Sequence, residues 1–372
     1  MPVLKRHAGK VHLKILVLTD IPSPYQVEIF NEIANDSDGD LHVAYLRDAD
    51  PDRLWTGSKL QHDFVVLNNG AGKVGSACDI LKSADFAVFN FYLHPYAQKL
   101  IDERARTRQP WCFWGERPGL KKPEWIGRLA RLWKLRWLHR SSAPIWGIGK
   151  FAVERYQSEF GPRHRYFNFP YFSQLDRFKV ARECRHDVDE TVFLYSGSLI
   201  PRKGVDLLAR SFVRLRNEGH KAKLRILGTG PLLPKLRDTL SSVPESVEFI
   251  GFSDWSELPK HYASSDVLCV PSRYDGWGLV IPEGLASGLP VIATDRMGAA
   301  LEFVKTNKNG WLIKSDNEEA ILKVMREAVS APKSTLNNLS HGAIESVENH
   351  SLALGAARFK SYVREGIQDW TS

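Results

Sequence analysis

Short, uninterrupted apolar runs recur along this chain, each followed by a stretch with helical spacing, and that alternation constrains the fold more than any other feature. In the first half the runs are residues 13–18, 41–46, 64–67, 86–91 and 111–114, with shorter ones at 145–148 and 165–168. Helical spacing appears at 25–34, where Val27, Phe30 and Ile33 share a face, and at roughly 93–107 and 123–140. A strand that is apolar on both faces must be covered on both, so these runs predict a parallel sheet between two helical layers. After Asn168-Phe169-Pro170-Tyr171 a second alternation begins: strand 192–196, helix 204–218, strand 223–227, helix 232–240, strand 247–250, helix 256–263 and strand 267–270. Helices at 320–329 and 352–366 close the chain. The expected fold is α/β, with two tandem doubly wound (Rossmann-like) domains facing across a cleft, residues 1–170 and 171–351. A chain of 372 residues supplies material for two such cores.

Composition excludes the main alternatives. A hydrophobic share of 43% with 25% charged residues is that of a globular protein, not of a fibre or a disordered chain. No apolar run approaches the roughly 20 residues of a membrane span. The piece 15–19 is too short for a secretory core and runs into Asp20, so it reads as a first strand. Cys78, Cys112, Cys184 and Cys269 lack paired spacing and a neighbouring His cluster, which predicts buried thiols in a reducing cytosol and neither disulfides nor a metal site. The 51 basic against 43 acidic residues give a net charge of +8, which favours acidic partners (nucleotides, phospholipid, phosphorylated glycans or nucleic acid) and does not choose among them.

Segment 270–292 is the most specific. It reads as a buried strand, the loop Tyr274-Asp275-Gly276-Trp277-Gly278-Leu279, a helix opening at Pro282, and a second buried strand. Gly276 and Gly278 let the backbone approach a ligand with its amides free to donate, and a helix N-terminus beside them attracts a phosphate. Asp275 and Glu283 stand at the two joints, placed to accept hydrogen bonds from sugar hydroxyls. An acid in a first helical turn is also favourable with no ligand present, so the residues alone leave both readings open. A second constellation, Tyr195-Ser196-Gly197-Ser198-Leu199-Ile200-Pro201-Arg202-Lys203-Gly204, follows the first strand of the second domain. Arg202 and Lys203 there suit the neutralisation of a diphosphate leaving group, or are simply cations in a solvated loop.

Together these segments resemble glycosyltransferase family 4. The acids eight positions apart before Glu283-Gly284-Leu285-Ala286-Ser287-Gly288-Leu289-Pro290-Val291-Ile292, and Gly197 followed by Arg202-Lys203-Gly204, carry the resemblance. It covers roughly 191–313, while the first half is similar in layout alone. The resemblance implies the GT-B arrangement, with helix 352–372 crossing back to the first domain, and retaining transfer from a nucleotide-sugar co-substrate with no cofactor and no metal. It implies Arg202, Lys203, Asp275 and Glu283 as catalytic residues. Gly197, Ser198, Gly251, Phe252, Gly276, Trp277, Gly278 and Leu279 would bind the donor, with Met297-Gly298-Ala299 and Glu302 near the sugar. Three departures stand out: Asp275 replaces the usual Glu, Ser198 stands where many members have Arg, and Phe113-Trp114-Gly115-Glu116-Arg117-Pro118-Gly119 lacks the family's first-domain His. Glu116 or Arg117 is the expected substitute there, with His94 after the preceding strand as another candidate. Ser23, Tyr25, His94 and Arg117 are expected on the acceptor side.

Segment 121–140 carries seven basic residues against the single acid Glu124. Trp125, Arg128, Arg131, Trp133, Lys134 and Trp137 make it a candidate for lying on an anionic membrane. Packing of its apolar stripe on its own domain is the alternative, and nothing else in the chain resembles a nucleic-acid module. The expectation is therefore a cytoplasmic enzyme, peripheral at the inner face of the membrane, that moves a sugar to a lipid-linked or saccharide acceptor in cell-surface polysaccharide or glycolipid synthesis. A sugar-nucleotide epimerase or hydrolase of the same fold is one rival. A non-catalytic glycan- or nucleotide-binding protein is the other.

Overall fold

The first strand, β1 (Leu13–Thr19), is fully buried from Ile15 onward, and the sheet grows from it in both directions. The computed structural model describes residues 12–35, 39–50, 59–67, 71–118, 123–184 and 190–371. Its first sheet contains β2 (Gly39–Tyr45), β3 (Asp63–Val66), β4 (Phe86–Phe89), β5 (Trp111–Gly115), β6 (Ile145–Gly147) and β7 (Tyr166–Asn168), all parallel, in the order β3-β2-β1-β4-β5-β6-β7. The second contains β8 (Thr191–Ser196), β9 (Ala222–Leu227), β10 (Val247–Gly251), β11 (Val267–Val270), β12 (Val291–Thr294) and β13 (Gly310–Ile313), also all parallel, in the order β10-β9-β8-β11-β12-β13. The α/β architecture of two doubly wound sheets is the one the apolar runs predicted. Strand order reverses at β1/β4 and again at β8/β11, and doubly wound sheets bind ligands at the carboxyl ends of the strands at such points.

Local departures have local reasons. The helices Ala71–Ser83, Lys150–Phe160, Gly298–Phe303 and Lys333–Ser346, and strand β13, were not anticipated. The first is rich in Gly and Ser and the third is one and a half turns long, so neither shows a periodic apolar face. The helix carrying Glu283 spans Val280–Ala286 and starts before Pro282, which takes a first-turn position whose missing N–H costs nothing. Glu302 joins the two domains: its carboxylate accepts from the Lys150 amide and from Asn168 Nδ2, both at 2.9 Å. The last helix, Leu352–Thr371, lies on the first domain, with Gly355 against Ile29 and Gly366 against Phe86. Cys112 and Cys269 are buried on β5 and β11.

The basic segment is two helices rather than one. Glu124–Lys134 ends at Leu135, and Arg136–His139 follows in a new phase. Trp137, expected at a membrane surface, is buried against Trp111 and Phe113, with ring centroids 5.2 and 5.9 Å away. Arg131, expected there too, is buried in an ion pair with Glu159 at 2.8 Å. Trp125, Ile126, Leu129, Leu132 and Trp133 are exposed, the two indoles by 65% and 70%, and Arg128 is exposed beside them. Lys121 and Lys122 lie outside the described residues. No helix among the described residues is long and apolar enough to cross a membrane.

Candidate active site

The β8/β11 reversal sets the loop after Ser196 against the loop after Val270. Arg202 and Lys203 end a single helical turn, Pro201–Lys203, which is closed by Gly204 in the left-handed region at φ 68°. A Cβ on Gly204 would strike the carbonyl of Pro271, so the turn is pressed against the exit of β11. Arg273 rivets the two loops. Its amide donates to the Arg202 carbonyl at 2.8 Å, and its guanidinium forks onto Asp206 at 2.8 and 2.9 Å. This residue sits inside the motif, yet nothing in the sequence marks it as the part that holds the two loops together.

The rivet brings three of the four catalytic candidates of the second domain into contact. Lys203 Nζ donates to Asp275 Oδ2 at 2.5 Å, and Arg202 Nη1 stands 3.4 Å from Oδ1. Burial would raise the Asp275 carboxyl, but Lys203 and Arg202 outweigh it and hold it below its usual range. From the other domain Glu116 enters at the end of β5, its carboxylate against Gly276 where any Cβ would collide. Its backbone carbonyl accepts from Tyr156 at 2.7 Å. Burial, with Asp275 adding to it, pushes Glu116 up to about 7 against the opposing pull of Arg202, Lys203 and Tyr171. Beside two cations, one carboxyl is thus held down and the other pushed up, a separation found at many functional sites.

Glu283 is placed apart from this group. It is buried on its helix and accepts from Tyr262 at 3.2 Å, and burial pushes it up to about 7. Its proton is bound more tightly in the folded chain than at the ordinary 4.5, so that stabilisation is complete below pH 4.5 and lost as pH rises to about 7. Wild-type thermal midpoints are therefore expected to fall more steeply between pH 5 and pH 8 than those of Glu283→Gln. Parallel curves for the two proteins would mean that Glu283 does not titrate in that window.

The donor-side expectations separate by position. The loop of Gly197 and Ser198 lies beside the end of β9, the Gly197 amide donating to the Leu227 carbonyl at 2.9 Å, and Gly228 in turn donates to the Gly251 carbonyl of β10 at 2.7 Å. Phe252 is 47% exposed, so its ring is not core. Among the described residues the amides of Gly276, Trp277, Gly278 and Leu279 donate to no protein acceptor. The Trp277 indole departs from expectation: it is buried against Gly149, Phe303 and His350, leaving that residue's main chain alone at the loop. On the first domain, Ser23, Tyr25, Glu116 and Arg117 line one cavity of about 450 Å³ at the β1/β4 reversal, together with Asp20 and Asn90. His94 is not among them. It caps the helix Pro95–Arg106, its Nδ1 accepting from the Tyr96 amide at 3.2 Å. Tyr171 and Tyr262, which hydrogen-bond Glu116 and Glu283, carried no sequence signal beyond an aromatic in an apolar stretch.

Comparison with known proteins bears on this geometry. Residues 176–346 match the family of glycosyl transferases group 1. The matched stretch contains Arg202, Lys203, Asp275 and Glu283. A GDP-mannose-dependent α-(1-6)-phosphatidylinositol monomannoside mannosyltransferase of Mycolicibacterium smegmatis is 31% identical over 202 residues, which is 50% of this chain and 53% of that protein. Its Mycobacterium tuberculosis H37Rv counterpart is 30% identical over 196 residues, 48% of this chain and 51% of that protein. The chain thus spans about half the length of the curated relatives it matches. Over nearly its whole length it is similar in fold to Anabaena HepE in complex with UDP, with a TM-score of 0.75, 15% identity, and coverage of 95% and 100% of the two chains. Sucrose-phosphate synthase from Thermosynechococcus elongatus gives a TM-score of 0.74 at 16% identity, with coverage of 95% and 99%. The fold is GT-B.

Proposed function

We propose that this chain transfers a hexosyl group from a nucleotide-sugar to a lipid-linked or saccharide acceptor, with retention of configuration and without a metal. The observation that carries the reading is the contact of Lys203 and Arg202 with Asp275 at the cleft, opposite Glu116. In this mechanism the bond between the anomeric carbon and the diphosphate oxygen breaks as the acceptor oxygen attacks the same face. The acceptor's proton passes to the departing diphosphate, whose charge Arg202 and Lys203 hold. Glu283 holds the ribose hydroxyls and Asp275 the donor sugar. The mycobacterial relatives are GDP-mannose-dependent and HepE binds UDP, so both nucleotide classes are candidates. Incubation with labelled GDP- and UDP-hexoses and membrane extract, in EDTA, is expected to yield a lipid-extractable or polysaccharide product. Free sugar at the same rate with and without acceptor would make the enzyme a hydrolase instead. Glu283→Gln is expected to bind donor about tenfold more weakly, the loss of one charge-assisted bond.

The exposed Trp125, Ile126, Leu129, Leu132 and Trp133 support peripheral attachment to an anionic membrane at its cytoplasmic face, with the acceptor presented from the bilayer. Changing Trp125 and Trp133 to Glu is expected to reduce sedimentation with phosphatidylglycerol vesicles by about tenfold while donor binding is kept. Equal sedimentation of variant and wild type would remove this face from the reading.

A further inference from the structure

A second concave surface lies across the first domain from the cleft, at the starts of β5–β7 rather than their ends, and encloses about 810 Å³. Arg106, Arg108, Arg136, Arg140, Arg163 and Arg165 line it, against Asp102 and Asp369. Three of these cations are explained within the fold. Arg136 pairs with Asp102 at 2.6 Å, Arg165 with Glu365 at 2.9 Å and with Asp369, and Arg106 with Glu103. Arg163 donates to the His139 carbonyl at 3.1 Å. Among the described residues Arg108 and Arg140 have no carboxylate partner, and both are exposed at the rim.

Arg108 also holds a backbone conformation that arginine rarely adopts. It follows the helix Pro95–Arg106 at φ 54°, where glycine or asparagine is usual, and its carbonyl is fixed by the Trp370 indole N–H at 2.8 Å. The backbone at Arg108 thus carries local strain at the edge of the groove. Unpaired cations in a concavity repel one another and focus a positive field, a cost that an anion removes. Guanidinium forks match phosphoryl oxygens in pairs, and the hydroxyls of Ser141 and Ser142 on the same wall add donors. The volume admits a ligand larger than one phosphate.

We propose that this groove is a second anion site, distinct from the donor cleft, that takes a phosphoryl-bearing ligand through Arg108 and Arg140. The groove is reached along the chain from the exposed Trp125/Trp133 helix through Leu135 to Arg136 and Arg140, so the phosphoryl group can come from a lipid headgroup or from a soluble molecule. Calorimetric titration with tripolyphosphate, and sedimentation with phosphatidylglycerol against phosphatidylcholine vesicles, separate these sources. Tripolyphosphate is expected to fill two sites on the wild-type chain. Arg108→Ala with Arg140→Ala should lose one of them and Arg202→Ala with Lys203→Ala the other, each by about tenfold or more. A Lys pair at 108 and 140, keeping charge without the fork, should fall between. If the 108/140 variant also loses phosphatidylglycerol binding, the ligand is lipid-borne. If only its tripolyphosphate site goes, the ligand is soluble. A 108/140 variant that matches wild type with both probes overturns the proposal, whatever happens at Arg202 and Lys203.

Discussion

Replacing Arg202 or Lys203 by alanine is expected to lower kcat by roughly two to three orders of magnitude, with a smaller effect on acceptor KM, because leaving-group charge is greatest in the transition state. The double replacement should cost less than the product of the two, since both side chains meet the same carboxylate. Lys203→Ala carries a second consequence: it strips a direct partner from Asp275, whose side chain is 14% exposed, and leaves a nearly buried charge. Breaking such a pair costs about 3–5 kcal/mol where burial is complete and less here. Adding Asp275→Asn to Lys203→Ala should therefore recover the thermal midpoint without recovering turnover. Recovery of both would mean that Lys203 merely neutralises Asp275.

Gly204→Ala should be among the most damaging single-methyl additions in the chain. The new Cβ would sit in the left-handed region and against the Pro271 carbonyl, which cannot move without shifting β11 and the Asp275 loop. A loss of about 3 kcal/mol or more is expected from strain and collision together. Gly219→Ala supplies the comparison. At φ 86° it has the same conformational difficulty with nothing near the added methyl, so it should lose only about 1–2 kcal/mol. Urea unfolding of the two variants isolates the collision. Equal losses would show that the Pro201–Lys203 turn is not pressed on the exit of β11.

The doubly wound sheets were legible because each buried strand writes itself as an apolar run, as Phe86–Phe89 and Val267–Val270 do. Asp275 and Glu283 were legible as acids flanking glycines. The position of Glu116 against Gly276 was not, because it depends on how one domain faces the other, and no local pattern encodes that. The burial of Trp137 was misread for a different reason. A continuous helix would carry residue 137 on the stripe of Trp133, but Leu135 at φ −110° and ψ 30° interrupts the winding and turns the second piece inward. Arg131 looked like one more surface cation because its partner Glu159 lies on another helix.

The polypeptide passes between the two sheets twice: outward after Asn168, and back just before Leu352. These passages touch. His350 stacks on Phe172 with centroids 4.5 Å apart, and its Nε2 donates to the Tyr171 carbonyl at 3.0 Å. Burial keeps that imidazole neutral, with its proton affinity lowered to about 4, so the contact carries no charge at physiological pH. The two sheets are thus joined along one seam by a doubled backbone and an uncharged contact, and two further meetings span them: Glu302 with Lys150 and Asn168, and Glu116 with the Gly276 loop.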